Sequence, residues 1–333
     1  MKAIVTAPGG LDALKLVDLP DPGRPGPGEI RVALHGSSLN YHDLGVASGR
    51  TPTDGRVLMA DGAGVVEEVG EGVTEFKPGD RVVSCFFPDW QDGPPPAGGF
   101  SRTPGDGIDG FAAEYAVRPA AAFTLAPKSF SHVEAATITT AGLTAWRALV
   151  EIGRLKAGDT VLALGTGGVS IYALQLAKAM GAQVAITSSS DEKLERARKL
   201  GADFIVNYKQ QPEWGKAVLD WTGGRGVDHV VEVGGPGTLG QSIQAVRMGG
   251  SITMIGVLTG ARGEVPTAML AGKQAVLSGL IVGSRHHQQN FVRALDLGLF
   301  MPVIDKVFPL EKLADAFRYE MGGGHFGKIG VEW

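Results

Sequence analysis

With 333 residues, 44% of them hydrophobic and 20% charged, the chain exceeds what one core usually organises, so two domains are expected. Its formal net charge of −4 and its scattered lysines and arginines, without a basic run, argue against nucleic acid or an anionic membrane surface as the main partner. Residues 1–6 lack a signal peptide's apolar core and no apolar stretch reaches about 18 residues, so no membrane span and a cytoplasmic location are expected; the single cysteine, Cys85, excludes an internal disulfide and is expected to serve packing.

In chain order, short β-like runs come first, over residues 30–35, 64–69, 81–85 and 113–117. Pro-Gly and Gly-Asp turns punctuate them, as in a small β-rich domain. Residues 86–110 form a Pro/Gly-rich loop carrying Phe86, Phe87, Trp90 and Phe100. It is too long for a plain connector and reads either as a substrate lid or as an irregular excursion.

The run Val161-Leu-Ala-Leu-Gly165-Thr-Gly167-Gly168-Val-Ser170, followed by apolar, Ala-rich residues to 180, predicts strand, glycine turn and helix. Four apolar residues suit a buried parallel strand. Gly165 permits the tight turn, Gly167 lets the backbone approach a pyrophosphate, and the helix from near Gly168 offers free N–H groups and the positive end of its dipole; Thr166 and Val169 lie within the same turn. Ser170 replaces the motif's last glycine and is small enough for close helix packing.

A second strand over 183–187 completes a βαβ unit. Its end, residues 186–190, carries no carboxylate to hold a ribose 2′-OH. Ser188 and Ser189 offer hydroxyl donors and Lys193 a positive charge, which favours a 2′-phosphate and hence NADP(H). The alternative is that the serines cap a helix over 191–200 and Lys193 is solvated surface.

Beyond a helix end at Gly201, strands are predicted over 203–206, 227–233, 251–255 and 276–282, with helices over 213–222 and 238–246. Six strands with helical crossovers make an α/β, doubly wound, parallel sheet of Rossmann type. Val233 with Gly234, Gly256 with Val257, and Val282 with Gly283 stand at strand ends facing the cofactor crevice. The apolar last strand would leave an exposed edge in a monomer, so a homodimer is expected.

The fragments Gly62-Ala-Gly-Val-Val-Glu-Glu-Val-Gly70, Phe76-Lys-Pro-Gly-Asp-Arg-Val82, Gly110-Phe-Ala-Ala-Glu-Tyr115, Ala141-Gly-Leu-Thr-Ala-Trp146 and Gly324-His-Phe-Gly-Lys328 give the whole chain a resemblance to the medium-chain dehydrogenase/reductase superfamily. The resemblance implies a GroES-like catalytic domain over 1–130 and 284–333, a Rossmann NADP-binding domain over 131–283, and the cofactor in the cleft between them. It also implies that Tyr208 lies beside the adenosine 2′-phosphate, that His325, otherwise a plain loop residue, lies near the cofactor, and that the protein is a homodimer. Thr144, at the opening of its helix, is a candidate phosphate or nicotinamide contact.

The family's alcohol dehydrogenases hold a catalytic zinc with Cys, His and Cys. At the matching positions this chain has Asn40, Ala60 and Thr140, and the four cysteines of the structural zinc are missing. Zinc on His42 with Asp43 or Asp61 would need three neighbouring donors, which spacing does not assure. The chain therefore resembles the zinc-free branch, which includes quinone oxidoreductases and enoyl or alkenal reductases.

Without a Lewis acid, a substrate that delocalises its own charge is favoured: a small hydrophobic carbonyl, enone or quinone reduced by NADPH. Asn40 is a candidate donor to the substrate oxygen or, by the resemblance, to the nicotinamide ribose. Tyr41 and His42 are candidate proton donors, and Asp61 is expected to hold an arginine or a backbone turn. Two alternatives stay open. One is a zinc-independent alcohol dehydrogenase or ketone reductase in which His42 relays the proton; the other is a non-catalytic NADPH-binding protein with a structural or RNA-associated role.

Overall fold

Along residues 29–34 inward and outward positions alternate, and Ile30, Val32 and Leu34 turn into the core while Arg31 reaches outward to Asp21 and Glu67. This strand, Glu29–Ser38, is the spine of the first of two compact units in a computed structural model that describes residues 1–50 and 53–333. The first unit comprises Met1–Leu143 and Val282–Trp333, the second Thr144–Ile281. The first division thus falls later than 130, because the segment that follows stays with the β-rich unit. Helix His132–Ala136, opened by a capping box between Ser131 and Glu134, lies so close to the spine that a Cβ on Gly36 would sit 2.7 Å from the Val133 nitrogen.

In the first unit a seven-stranded sheet runs in the order Ile304–Pro309, Lys328–Glu332, Glu29–Ser38, Ala63–Val69, Arg81–Ser84 and Phe123–Leu125, with Tyr115–Pro119 also paired to the spine. The strand expected over 113–117 begins later, since Ala113 makes only an isolated bridge to Ala3. The expected loop 86–110 is not uniformly open. Phe86, Phe87 and Trp90 are buried, the rings of Phe87 and Phe100 stack at 3.8 Å, and the N–H groups of Arg285 and His286 donate to Trp90 O and Gln91 O. Helix Arg285–Leu295 therefore anchors its start, and exposure is concentrated over residues 91–102.

In the second unit the fully buried run Thr160–Leu164 is the central strand. The parallel sheet reads Phe204–Asn207, Gln183–Ser188, Thr160–Leu164, Val227–Glu232, Val246–Met254, Val276–Gly279. In chain order this is 3-2-1-4-5-6, the arrangement of a complete doubly wound dinucleotide fold. The last strand stops short of the expected 282: the Leu280 N–H still donates to Met254 O at 2.9 Å, but Val282 has left extended backbone at φ +42°. Among the described residues no helix is long and apolar enough to cross a membrane.

Candidate active site

In the second unit the glycine turn ends the central strand. Gly165 has φ +75°, open only to glycine at low cost, and a Cβ on either Gly165 or Gly167 would meet nothing within 4 Å, so both face open space. The Gly165 N–H donates to Thr187 Oγ1 at 3.2 Å, tying the turn to the neighbouring strand end. Helix Gly168–Ala179 starts without a side-chain cap, which leaves its first N–H groups, at Gly168, Val169 and Ser170, for an anion. Buried Ser170 donates to Leu164 O at 2.6 Å, so the hydroxyl that replaced a glycine also satisfies the last carbonyl of the strand. Thr166 is buried within the same turn. This cradle fits a dinucleotide pyrophosphate.

At the next strand end the serines divide their roles. Ser190 is the cap of helix Asp191–Lys199, its Oγ accepting from Lys193 N, while Ser188 Oγ accepts from Ser190 N at 3.3 Å and keeps its own hydrogen to donate. Ser189 is half-buried beside them, Lys193 sits half-buried on the first helical turn, and Tyr208 is held alongside by its N–H on Ser188 O at 3.1 Å. Ser188, Ser189, Lys193 and Tyr208 thus gather at one corner.

Two further strand ends meet at a residue that sequence reading missed. The fully buried Glu232 carboxylate accepts from the N–H groups of Gly234 at 2.7 Å and Gly235 at 3.1 Å, from Thr238 Oγ1 at 2.6 Å and from Ser242 Oγ at 2.5 Å. Its backbone carbonyl accepts from Ile255 N, and Val233 O accepts from Leu258 N, which brings Val233, Gly256 and exposed Val257 together. A carboxylate at the end of the strand, straight after the apolar pair Val230-Val231 and before Gly234 and Gly235, was the available signal. Thr144, in helix Leu143–Trp146 between two π-helical stretches, is buried.

The first unit contains a closed polar cluster. Asn40 precedes helix Tyr41–Ala47 but does not cap it with its side chain. Its Nδ2 donates to Asp43 Oδ2 at 3.0 Å and Asp61 Oδ2 at 2.9 Å, and its Oδ1 accepts from Lys328 Nζ at 2.6 Å. Asp61 also accepts from Ser38 Oγ at 2.5 Å and from Thr140 Oγ1 at 2.6 Å; Lys328 Nζ lies 3.8 Å from it and donates to Leu39 O. Asp43 Oδ1 accepts from the Ala60 N–H at 2.9 Å.

Two expectations are corrected by this geometry. Both hydrogens of the Asn40 amide are engaged within the unit, so Asn40 has none to donate to a substrate or a ribose. Asp61 holds neither an arginine nor a turn through its carboxylate; it takes hydroxyl and amide donors and the charge of a lysine 267 positions later in the numbering (328 against 61).

Next to the cluster stand the titratable groups. His42 Nδ1 lies 3.6 Å from Asp43 Oδ1 and Nε2 3.5 Å from Asp106 Oδ2. Burial alone would lower its pKa, but the two carboxylates outweigh this and raise it. Tyr41 is half-exposed, with its pKa raised by burial and by the nearby Glu320 charge. Buried Glu320, whose Oε2 has no hydrogen-bond partner among the described residues, is pushed up to about 7 by burial, against the opposing pull of Lys328. Cys85 is buried and pushed up to about 12, which makes it an inert packing thiol. His325 lies half-buried in the turn before strand Lys328–Glu332, and Val282, buried at its positive φ, precedes Gly283.

Residues 26–128 match the family model described as alcohol dehydrogenase GroES-like domain, and residues 168–298 the one described as zinc-binding dehydrogenase. A zinc-type alcohol dehydrogenase-like protein of Schizosaccharomyces pombe is 42% identical, the match covering 96% of this chain and 95% of that one. A 2-haloacrylate reductase of Burkholderia sp. is 29% identical over 99% and 98% of the two chains. The crystal structure of an NAD-dependent alcohol dehydrogenase, 38% identical, matches the whole of both chains with a TM-score of 0.90.

The metal in one of those family descriptions does not fit this donor set. Asn40, Ala60 and Thr140 stand at the ligand positions, the Asn40 and Thr140 side chains are bonded to neighbouring carboxylates, and among the described residues no group of three His, Cys, Asp or Glu side chains is placed to hold an ion. A nicotinamide dinucleotide does fit, on the open glycine turn and uncapped helix of the second unit. The chain belongs to the medium-chain dehydrogenase/reductase superfamily, a family of oxidoreductases that bind a nicotinamide cofactor.

Proposed function

We propose that the protein is an NADPH-dependent reductase of activated alkenes or quinones that works without zinc. The observation that carries the reading is the closed cluster of Asn40, Asp43, Asp61, Thr140 and Lys328: it fills the ligand positions with mutually satisfied groups and leaves only hydrogen-bond donors to handle a substrate oxygen. A bound nicotinamide supplies the hydride. The pyrophosphate is assigned to Gly165, Thr166, Gly167, Gly168 and Val169, and the 2′-phosphate to Ser188, Ser189, Lys193 and Tyr208. Val233, Gly256, Val257, Val282, Thr144 and His325 are assigned to the remainder of the cofactor. Tyr41 and His42 are the candidate donors of the proton that balances hydride addition to the β-carbon of an enone, His42 being recharged through half-buried Asp106. The 2-haloacrylate reductase relative, named for an activated alkene, supports this substrate class.

A second reading, a zinc-independent alcohol dehydrogenase or ketone reductase using NAD, is favoured by the NAD-dependent alcohol dehydrogenase at 38% identity. One steady-state comparison separates them. An enone and its saturated ketone are assayed with NADPH and NADH, alongside oxidation of the matching alcohol. Enone reduction with NADPH is expected; efficient alcohol oxidation with NAD and no alkene reduction would establish the second reading.

A further inference from the structure

We propose that Lys328 is a positioning residue for the reacting end of helix Tyr41–Ala47, acting through the Asn40 amide and the carboxylates behind it. The inference rests on the reading of Tyr41 and His42 as proton donors. Lys328 lies on strand Lys328–Glu332, 4% exposed, where an ammonium without partners would be expensive to hold. Its partners are specific: Leu39 O, Asn40 Oδ1 at 2.6 Å and Asp61 Oδ2 at 3.8 Å. The first two belong to the residues immediately before Tyr41.

The contact fixes which way the Asn40 amide points. With Oδ1 bound to an ammonium, Nδ2 must face Asp43 and Asp61; a flipped amide would set its N–H groups against Nζ and its oxygen against two carboxylates. The turned amide then holds Asp43 Oδ2 at 3.0 Å, and Asp43 Oδ1, bonded to Ala60 N, lies 3.6 Å from His42 Nδ1. A chain of contacts therefore runs from Lys328 through Asn40 and Asp43 to His42. It also accounts for a local oddity: an asparagine at a helix N-cap ordinarily accepts from the first turn, and Asn40 does not. Three buried acids, Asp43, Asp61 and Glu320, surround this one ammonium, so its removal disturbs charge as well as orientation.

The test separates those two effects in the full-length protein. Lys328→Met removes the ammonium; Lys328→Met with Asp61→Asn removes a cation and an anion together. We expect both variants to lose turnover by about 10- to 100-fold, the scale of a small misplacement at a reacting centre, with KM for the cofactor within about twofold of wild type. We expect the double variant alone to regain the wild-type urea midpoint. Recovery of kcat to within about threefold in the double variant would reduce Lys328 to a counter-ion and overturn the assignment, as would unchanged kcat in the single variant or a double variant too unstable to assay. Full activity in both Tyr41→Phe and His42→Ala would instead overturn the donor reading, whatever the Lys328 variants do.

Discussion

The Thr140 hydroxyl donates to Asp61 Oδ1 at 2.6 Å from a π-helical stretch, Ile138–Gly142. The hydrogen bond joins a position that carries a metal-binding cysteine in zinc enzymes to a fully buried carboxylate. Irregular helix of this kind re-aims side chains and recurs at functional sites. With Thr140 so engaged, protein purified without added metal should contain far less than one zinc per chain by elemental analysis, and chelators should leave activity intact. Thr140→Val should cost about 1–3 kcal/mol in urea unfolding, since it strips a donor from a buried acid. A stoichiometric, activity-linked zinc would refute this account of the pocket.

The cofactor prediction rests on the corner formed by Ser188, Ser189, Lys193 and Tyr208. Ser190 already caps the following helix, so Ser188 and Ser189 are not needed for that role. Removing Lys193 should weaken NADPH binding by about 1–3 kcal/mol, the scale of a charge-assisted contact, with NADH nearly unaffected. Titrations of both cofactors against wild type and Lys193→Ala decide it: equal losses, or a wild type that prefers NADH, would contradict the assignment.

What the sequence made legible follows from locality. The buried run Thr160–Leu164, Gly165 at positive φ and the helix behind it lie within twenty residues, so one short window specified a strand, a turn and an anion site. The parallel strand order followed from repeating that alternation. The polar cluster was not legible in the same way, because Asn40 meets Lys328 across 288 positions and nothing near either residue signals the other. Glu232 is not legible in the sequence because burial decides whether a strand-terminal glutamate is solvated or bonded to a turn, and burial is a tertiary property. The last strand ends before the expected 282 even though Ile281 and Val282 are apolar, because the backbone at Val282 turns out of the sheet.

That last strand supports an assembly prediction. Val276–Gly279 lies at the edge of the six-stranded sheet, with Val276 and nearby Ile281 exposed. An apolar edge with unpaired backbone groups favours pairing with a second copy about a two-fold axis. Sedimentation at micromolar concentration should show a dimer, and a stable monomer would refute it. Leu280→Pro deletes the donor to Met254 O and should weaken both assembly and folding.

Proton donation gives a pH-dependent prediction. The His42 pKa is raised above its ordinary 6.5 by Asp43 and Asp106 against the effect of burial, so the charged, donating form persists to higher pH than a free imidazole would allow. Reductive turnover should be retained below that raised value and fall as pH rises through it. His42→Ala should lower turnover by about 10²- to 10⁴-fold if it is the general acid, and Tyr41→Phe likewise if the phenol is, with cofactor affinity little changed. A flat pH–rate profile together with two active variants would assign the proton to water.

Glu320 yields the last prediction, on stability. Its carboxyl is buried on helix Leu313–Met321 with Oε2 unpartnered among the described residues, and burial raises its pKa from 4.5 to about 7, Lys328 opposing the shift and Asp43 adding to it. An acid whose folded pKa is raised binds its proton more tightly when folded. Below pH 4.5 both states are protonated and the shift has no effect on stability. Between pH 4.5 and about 7 the unfolded chain ionises while the folded one resists, so stability declines; above that range the penalty is constant. A shift of this size corresponds to roughly 3 kcal/mol at most. Glu320→Gln keeps the shape and removes the charge, so at pH 8 it should unfold at higher urea than wild type, and the gap should close as pH falls toward 4.5. A variant that is less stable than wild type at pH 8 would mean that the ionised carboxylate is paired in the folded protein.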